Sequence, residues 1–136
     1  MPRWLRYAWA LPTTLVGVVA FVLTLASGGR GRVFDGCLEI DGGFATWLLR
    51  RLGAAAMTLG HVVLAVDTLA HDLSRAHERV HVRQVERWGP LFLPAYGLAS
   101  LLAWRRGWHY YYDNRFEREA YGRPRPRRSG SRSMIR

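Results

Sequence analysis

Two histidines four positions apart, with a glutamate directly after the first, stand at His77-Glu78-Arg79-Val80-His81. On a helix, residues i and i+4 lie one above the other on one face. Both imidazoles can then reach a single metal ion, at about 2.0–2.1 Å for zinc. In an HExxH arrangement the glutamate stays off the metal and takes a proton from the water that the metal activates. Zinc brings the pKa of that water to about 7, so hydroxide is available at neutral pH. With five His and five Glu in 136 residues, random placement predicts roughly 0.01 matches to the pattern. Coincidence is therefore the poorer explanation, and a helix carrying two histidines merely for polarity is the alternative.

A catalytic zinc takes three protein ligands and keeps one position open. The downstream candidates for the third are Glu86, His109, Asp113, Glu117 and Glu119. Glu86 follows His81 by five residues on the same helix and points elsewhere. Glu117 and Glu119 lie in Phe116-Glu117-Arg118-Glu119-Ala120-Tyr121, on a short helix after a helical hairpin. An antiparallel return brings such a helix back beside the first one, although either glutamate could instead be a solvated charge. Either could be the third ligand, with the other as a supporting carboxylate. Gln84, three residues after His81, is placed to hydrogen-bond a ligand or line a cleft. Ligating histidines donate their other N–H to an acceptor, for which Asp72, Asp113 and Glu119 are candidates. A developing oxyanion needs a donor, and His109, Tyr112 and Tyr121 could supply one. His61 matches no local metal motif in its spacing from His77 and reads as a packed or solvated histidine.

These residues must be positioned by surrounding elements. Leu69, Leu73, Ala76 and Val80 recur at helical steps and predict a helix over about 69–87 with an inward apolar stripe, bordered by His77 and His81. Asp67 and Thr68 are its N-cap candidates, and Gly89-Pro90 ends it. Residues 32–40 read as a strand with a turn or bulge at Asp35-Gly36, and residues 55–66 as one strand. Between them, Asp41-Gly42-Gly43 is a turn, and 44–52 is a short helix or an irregular apolar segment. A second helix is expected over 91–105, and a short one over 115–121 with Asp113 or Asn114 as cap. The apolar part of the second helix spans about 21 Å, too short to cross a bilayer unaided. Core packing is favoured over dipping into one leaflet.

Tyr7 to Ser27 is 21 residues without a charge, about 31 Å of helix against a hydrocarbon core of roughly 30 Å. A retained membrane anchor is the expectation, with a cleaved signal peptide or a buried helix as rivals. Arg3 and Arg6 precede it and Arg30 and Arg32 follow, so flanking charge leaves its orientation open. The formal charge is +10, carried by arginine alone without a single lysine, and six arginines fall in the last 15 residues. That Arg-, Pro- and Ser-rich tail is expected to be disordered and suits anionic lipid headgroups at least as well as nucleic acid. Cys37 is the one cysteine, which rules out an intrachain disulfide and a cysteine-based zinc cluster.

The expected architecture is α+β and mainly helical. It comprises an N-terminal transmembrane helix, two or so short strands, the HExxH helix, an apolar helix and a short Glu-bearing helix. Residues 1–31 would form a membrane anchor and joint, 32–121 a minimal domain, and 122–136 a basic tail. His77-Glu78-x-x-His81, followed by a helix with Glu117-x-x-Ala120, resembles the gluzincin metallopeptidases. It looks like their pared-down minigluzincin core and like the membrane HtpX-type and CaaX-prenyl-protease-type families. In those membrane families the third ligand is a Glu followed three residues later by Ala and then Asp; here Tyr121 replaces the Asp. The likeness covers about residues 55–121. It also extends to small uncharacterised bacterial membrane proteins carrying HExxHxxQ and an Asn-x-Phe-Glu-x-Glu-Ala-Tyr element, here Asn114 to Tyr121. The resemblance implies one zinc held by His77, His81 and Glu117, with Glu78 as general base and peptide or protein as substrate. It also implies a single-pass location in a bacterial inner membrane and a cleft-edge strand within 56–64. A non-catalytic metal-site membrane protein and a basic membrane-surface adaptor are the alternatives.

Overall fold

A computed structural model describes residues 2–122; the expected disordered tail, from residue 123 on, lies outside the described residues. The chain forms two compact units that meet within one helix, the first ending at Ala95 and the second beginning at Tyr96. The architecture is α+β and mainly helical, as the residue pattern implies.

The first unit opens with helix α1 (Arg3–Ala26). Strands β1 (Arg30–Phe34) and β2 (Cys37–Asp41) follow, then helix α2 (Gly43–Leu52). Next come β3 (Ala56–Leu59), β4 (Val62–Ala65) and the long helix α3 (Thr68–Trp88). A 3₁₀ turn over Gly89–Leu91 leads into α4 (Phe92–Arg105). The strands make one sheet in the order β1-β2-β4-β3, with β2 and β4 parallel and the outer pairs antiparallel.

The two hairpins follow from their turn residues. Asp35 and Gly36 both take positive φ, 49° and 74°, as a two-residue type I′ turn requires, and Asp-Gly is a preferred pair there. Phe34 therefore pairs with Cys37 across the turn. Residues 55–66 are not one strand but two. Gly60 takes φ 66° and reverses the chain between paired Leu59 and Val62. Its left-handed backbone is open to glycine and strained for the flanking residue types, so the apolar run folds back on itself.

The central strand β4 is buried along its whole length, and its side chains alternate between two layers. Val62 and Leu64 join Ile40, Ala20 of α1, and Ala45 and Leu49 of α2 in the main core. Val63 faces the other way, with Cys37 and Val82 of α3. Burial holds the Cys37 thiol above its usual pKa, so it behaves as a small apolar side chain.

Helix α1 is long and apolar enough to cross a membrane by length and composition, yet it is also part of this core. Its buried residues Ala10, Thr13, Gly17, Ala20 and Thr24 form a stripe of small side chains. At Gly17 the helix approaches the β3–β4 hairpin so closely that a Cβ would stand 2.6 Å from both the Leu59 carbonyl oxygen and the Val62 Cβ.

The apolar stripe expected to seat α3 points outward: Leu69 and Leu73 are 63% and 79% exposed. The buried side instead carries His71, Glu78, His81, Val82, Gln84 and Val85. The cause lies on β2, whose Glu39 and Asp41 project toward α3. Glu39, 2% exposed, accepts two hydrogen bonds from the Arg75 guanidinium at 2.9 and 3.1 Å. Arg32 and Arg79 also reach it, at 3.3 and 3.4 Å. Burial works against the charge on Glu39, but the Arg75 hydrogen bonds and the neighbouring positive groups outweigh it and hold the carboxyl below its ordinary pKa. His71 Nε2 lies 2.9 Å from the Ile40 carbonyl. An ion-paired seam thus orients the helix, because a buried carboxylate must be paired.

In the second unit, helix α5 (Arg115–Tyr121) starts at Asn114, whose Oδ1 accepts from Phe116 N at 2.8 Å. The Asn114 amide donates to the Tyr96 carbonyl and to Ser100 Oγ, at 3.0 and 2.8 Å. One fully buried side chain therefore caps α5 and ties it to α4. Asp113, the other cap candidate, accepts instead from His109 N at 2.8 Å.

Candidate metal centre

Helix α3 begins where an Asp cap allows: Asp67 Oδ1 accepts from Ala70 N at 2.7 Å, satisfying one otherwise orphaned donor of the first turn. From that start, His77 and His81 fall on one side, one turn apart. Their Nε2 atoms are 3.1 Å apart and their rings meet edge to face. Two nitrogens bound at about 2.05 Å to a tetrahedral centre would stand about 3.3 Å apart. The observed separation therefore suits one shared cation.

Gln84 is completely buried, and its Oε1 lies 2.9 Å from His81 Nδ1. An amide oxygen can only accept, so Nδ1 carries the proton and the Nε2 lone pair points toward His77. Of the carboxylates considered for this supporting contact, Asp72 pairs with Arg75 at 3.0 Å. The Phe92 ring lies 6.4 Å from that of His81 and adds apolar cover.

Glu78 is buried, 5% exposed, against β3. Thr58 on that strand donates its hydroxyl to Glu78 Oε2 at 2.6 Å. A charge-assisted bond of that length fixes the carboxylate's rotamer. The reading of 55–66 as a single strand offered no way to see Thr58, because the residues that face α3 follow from the hairpin. A Thr on an apolar strand ahead of the motif is the one signal that could have pointed to it.

His61 is a packed histidine rather than part of this group. It lies 2.9 Å from Glu86 Oε1 and stacks on Tyr7 with centroids 4.2 Å apart. Glu86 thus points elsewhere, as its spacing implies, and pairs with His61 and with Arg6 at 3.6 Å.

Within the second unit, the two glutamates of α5 differ sharply. Glu117 is 3% exposed and accepts from the Tyr96 hydroxyl at 2.7 Å. Glu119 faces solvent. His109, Tyr112 and Tyr121 are all exposed. His109 Nδ1 accepts from the backbone N–H of Tyr111 and Tyr112, both at 3.1 Å, so that face of the ring closes a local turn. The Tyr121 hydroxyl lies 3.4 Å from that of Tyr111.

No protein-family model matches this chain, and no curated protein or solved structure is significantly similar to it.

Proposed function

We propose that this protein is a zinc-dependent peptidase in which His77 and His81 hold one ion, Glu117 is the third ligand that the motif resemblance implies, and Glu78 acts as general base. The observation that carries the reading is the 3.1 Å approach of two imidazole Nε2 atoms on α3. Its support is the Gln84 contact that presents a lone pair on His81. Two imidazoles and a carboxylate are a donor set that zinc takes in catalytic sites, leaving one position open. When bound, zinc would lower the pKa of water and polarise a substrate carbonyl.

The chain's own residues supply the rest. Glu78, held by Thr58, accepts the proton of the attacking water and passes it to the leaving amine. Tyr96 orients Glu117 through its hydroxyl. The likeness to gluzincins at the motif level favours peptide over other acyl substrates, and His109, Tyr112 and Tyr121 are the candidate oxyanion donors. Metal content of the purified full-length protein is the first test: about one zinc per chain, lost in His81→Ala. Glu78→Gln should keep the zinc and lose hydrolysis of a generic fluorogenic peptide. Absence of zinc from wild type, or undiminished turnover in Glu78→Gln, sinks the proposal. Zinc without turnover in any variant transfers the reading to a structural metal site.

We further propose that α1 holds the protein at a bacterial inner membrane through one side only. The opposite side packs on the sheet, beside the His61–Glu86 pair, Thr14 and the exposed edge strand β1. Unpaired strand edges are not tolerated in hydrocarbon, which argues against α1 as a lone crossing. Leu11, Leu15, Val19 and Val22, each about half exposed or more, would face lipid. Cysteines introduced at residues 3 and 28 in vesicles should label from the same side; labelling from opposite sides restores a single-pass span.

A further inference from the structure

A cleft of about 220 Å³ opens in the first unit between the start of α1, the β1–β2 turn and α3. Four arginines line it, Arg3 and Arg6 from α1 and Arg79 and Arg83 from α3, against two acids, Asp35 and Glu86. Glu86 is already engaged by His61 and Arg6, so positive charge is left in excess.

The arginine donors are unevenly used. Arg79 has a side chain only 13% exposed. Its Nη2 donates to the Phe34 carbonyl at 2.7 Å and reaches Glu39 at 3.4 Å. Its Nε and Nη1 are buried with no hydrogen-bond partner, and so is Nε of Arg6. Buried donors without partners are rare, and charged ones most of all. Such a set calls for an acceptor with several oxygens and negative charge. Guanidinium forks meet phosphate in that way.

We infer that this cleft binds a phosphate group, with Arg6 and Arg79 as its principal donors and Arg83 at the rim. The group could belong to a lipid headgroup or to free phosphate. The surroundings favour the headgroup. Trp4, Tyr7 and Trp9 are exposed on the first turns of α1, and such aromatics, with arginines among them, suit the headgroup level of a bilayer. The cleft shares no side chain with the His77–His81 pair, so this inference stands independently of the peptidase reading.

The test uses the full-length protein in a phosphate-free nonionic detergent. Binding of inorganic phosphate is measured by calorimetry, and binding to phosphatidylglycerol against phosphatidylcholine vesicles by flotation. Arg79→Lys keeps a cation for Phe34 and Glu39 but loses the fork, and Arg6→Gln removes the second donor. Arg50→Gln/Arg51→Gln on α2 removes two charges outside the cleft as a control. Thermal melts check that each variant folds, and Arg6→Gln alone suffices if Arg79→Lys does not. The expected result is binding at least about tenfold weaker in the cleft variants and unchanged in the control. Loss seen with inorganic phosphate identifies phosphate itself as the ligand, and loss confined to phosphatidylglycerol vesicles identifies the headgroup. No binding of either probe, or equal losses in control and cleft variants, overturns the inference.

Discussion

Gln84→Met is the sharpest probe of the metal centre. Gln84 is fully buried and its Oε1 lies 2.9 Å from His81 Nδ1. Methionine is close in volume and flexible enough to fill the space, but its thioether is a poor acceptor. The His81 N–H would lose its partner, and the tautomer that presents Nε2 toward His77 would no longer be held. Losing such a supporting contact behind a ligating histidine costs about 10- to 100-fold in metal affinity, or about 1.4 to 2.8 kcal/mol. Competition with a chelating zinc indicator on the full-length chain reads this directly. A thermal melt of the metal-free proteins separates lost affinity from lost folding. Wild-type affinity within about twofold in Gln84→Met would refute the tautomer argument while leaving the ligand set standing. No zinc binding by wild type would instead refute the ligand set.

Thr58→Val removes the hydroxyl 2.6 Å from Glu78 Oε2 and should lower peptide turnover about tenfold or more while zinc content stays at wild type; equal turnover would mean that Glu78 needs no such support. Glu39→Gln should destabilise the protein by about 2–3 kcal/mol. That is below the range for a fully buried pair, because the Arg32 side chain is 49% exposed. The pH dependence has a definite sign. Because the folded carboxyl of Glu39 lies below its ordinary value of 4.5, its stabilisation is complete above that pH. It fades as pH falls through the folded value, where the native state is protonated too. Denaturant melts across about pH 3–6 should therefore show a shallower acid loss in Glu39→Gln than in wild type, and parallel slopes would contradict the pairing. Gly17→Leu places side-chain atoms where a Cβ alone would stand 2.6 Å from the hairpin. Overpacking of this kind costs about 1–3 kcal/mol, so an unchanged melting temperature would mean that α1 does not pack there.

Local chemistry made much of this protein legible in its residues. The four-residue spacing of His77 and His81, the Asp67 cap, the Asp35-Gly36 turn and the Asn114 cap are all settled within a few residues of themselves. Short-range geometry is the same in any fold, and each of these features stands where the sequence indicates. The fold class was readable for the same reason, because helix and strand periods are local. What needed the tertiary structure was everything decided by a partner distant along the chain. Residues 55–66 look like one apolar strand until Gly60 is seen reversing them between β2 and the edge. Leu69 and Leu73 look like a core stripe until Glu39 and Asp41, more than 25 residues earlier, claim the other face of α3 for arginine and histidine. Thr58 meets Glu78, and Arg6 meets Glu86 and the Arg79 cleft, only because the sheet brings α1, β3 and α3 together. A helical period tells which residues share a face; whether that face meets carboxylates, lipid or water is decided by what the rest of the chain lays against it.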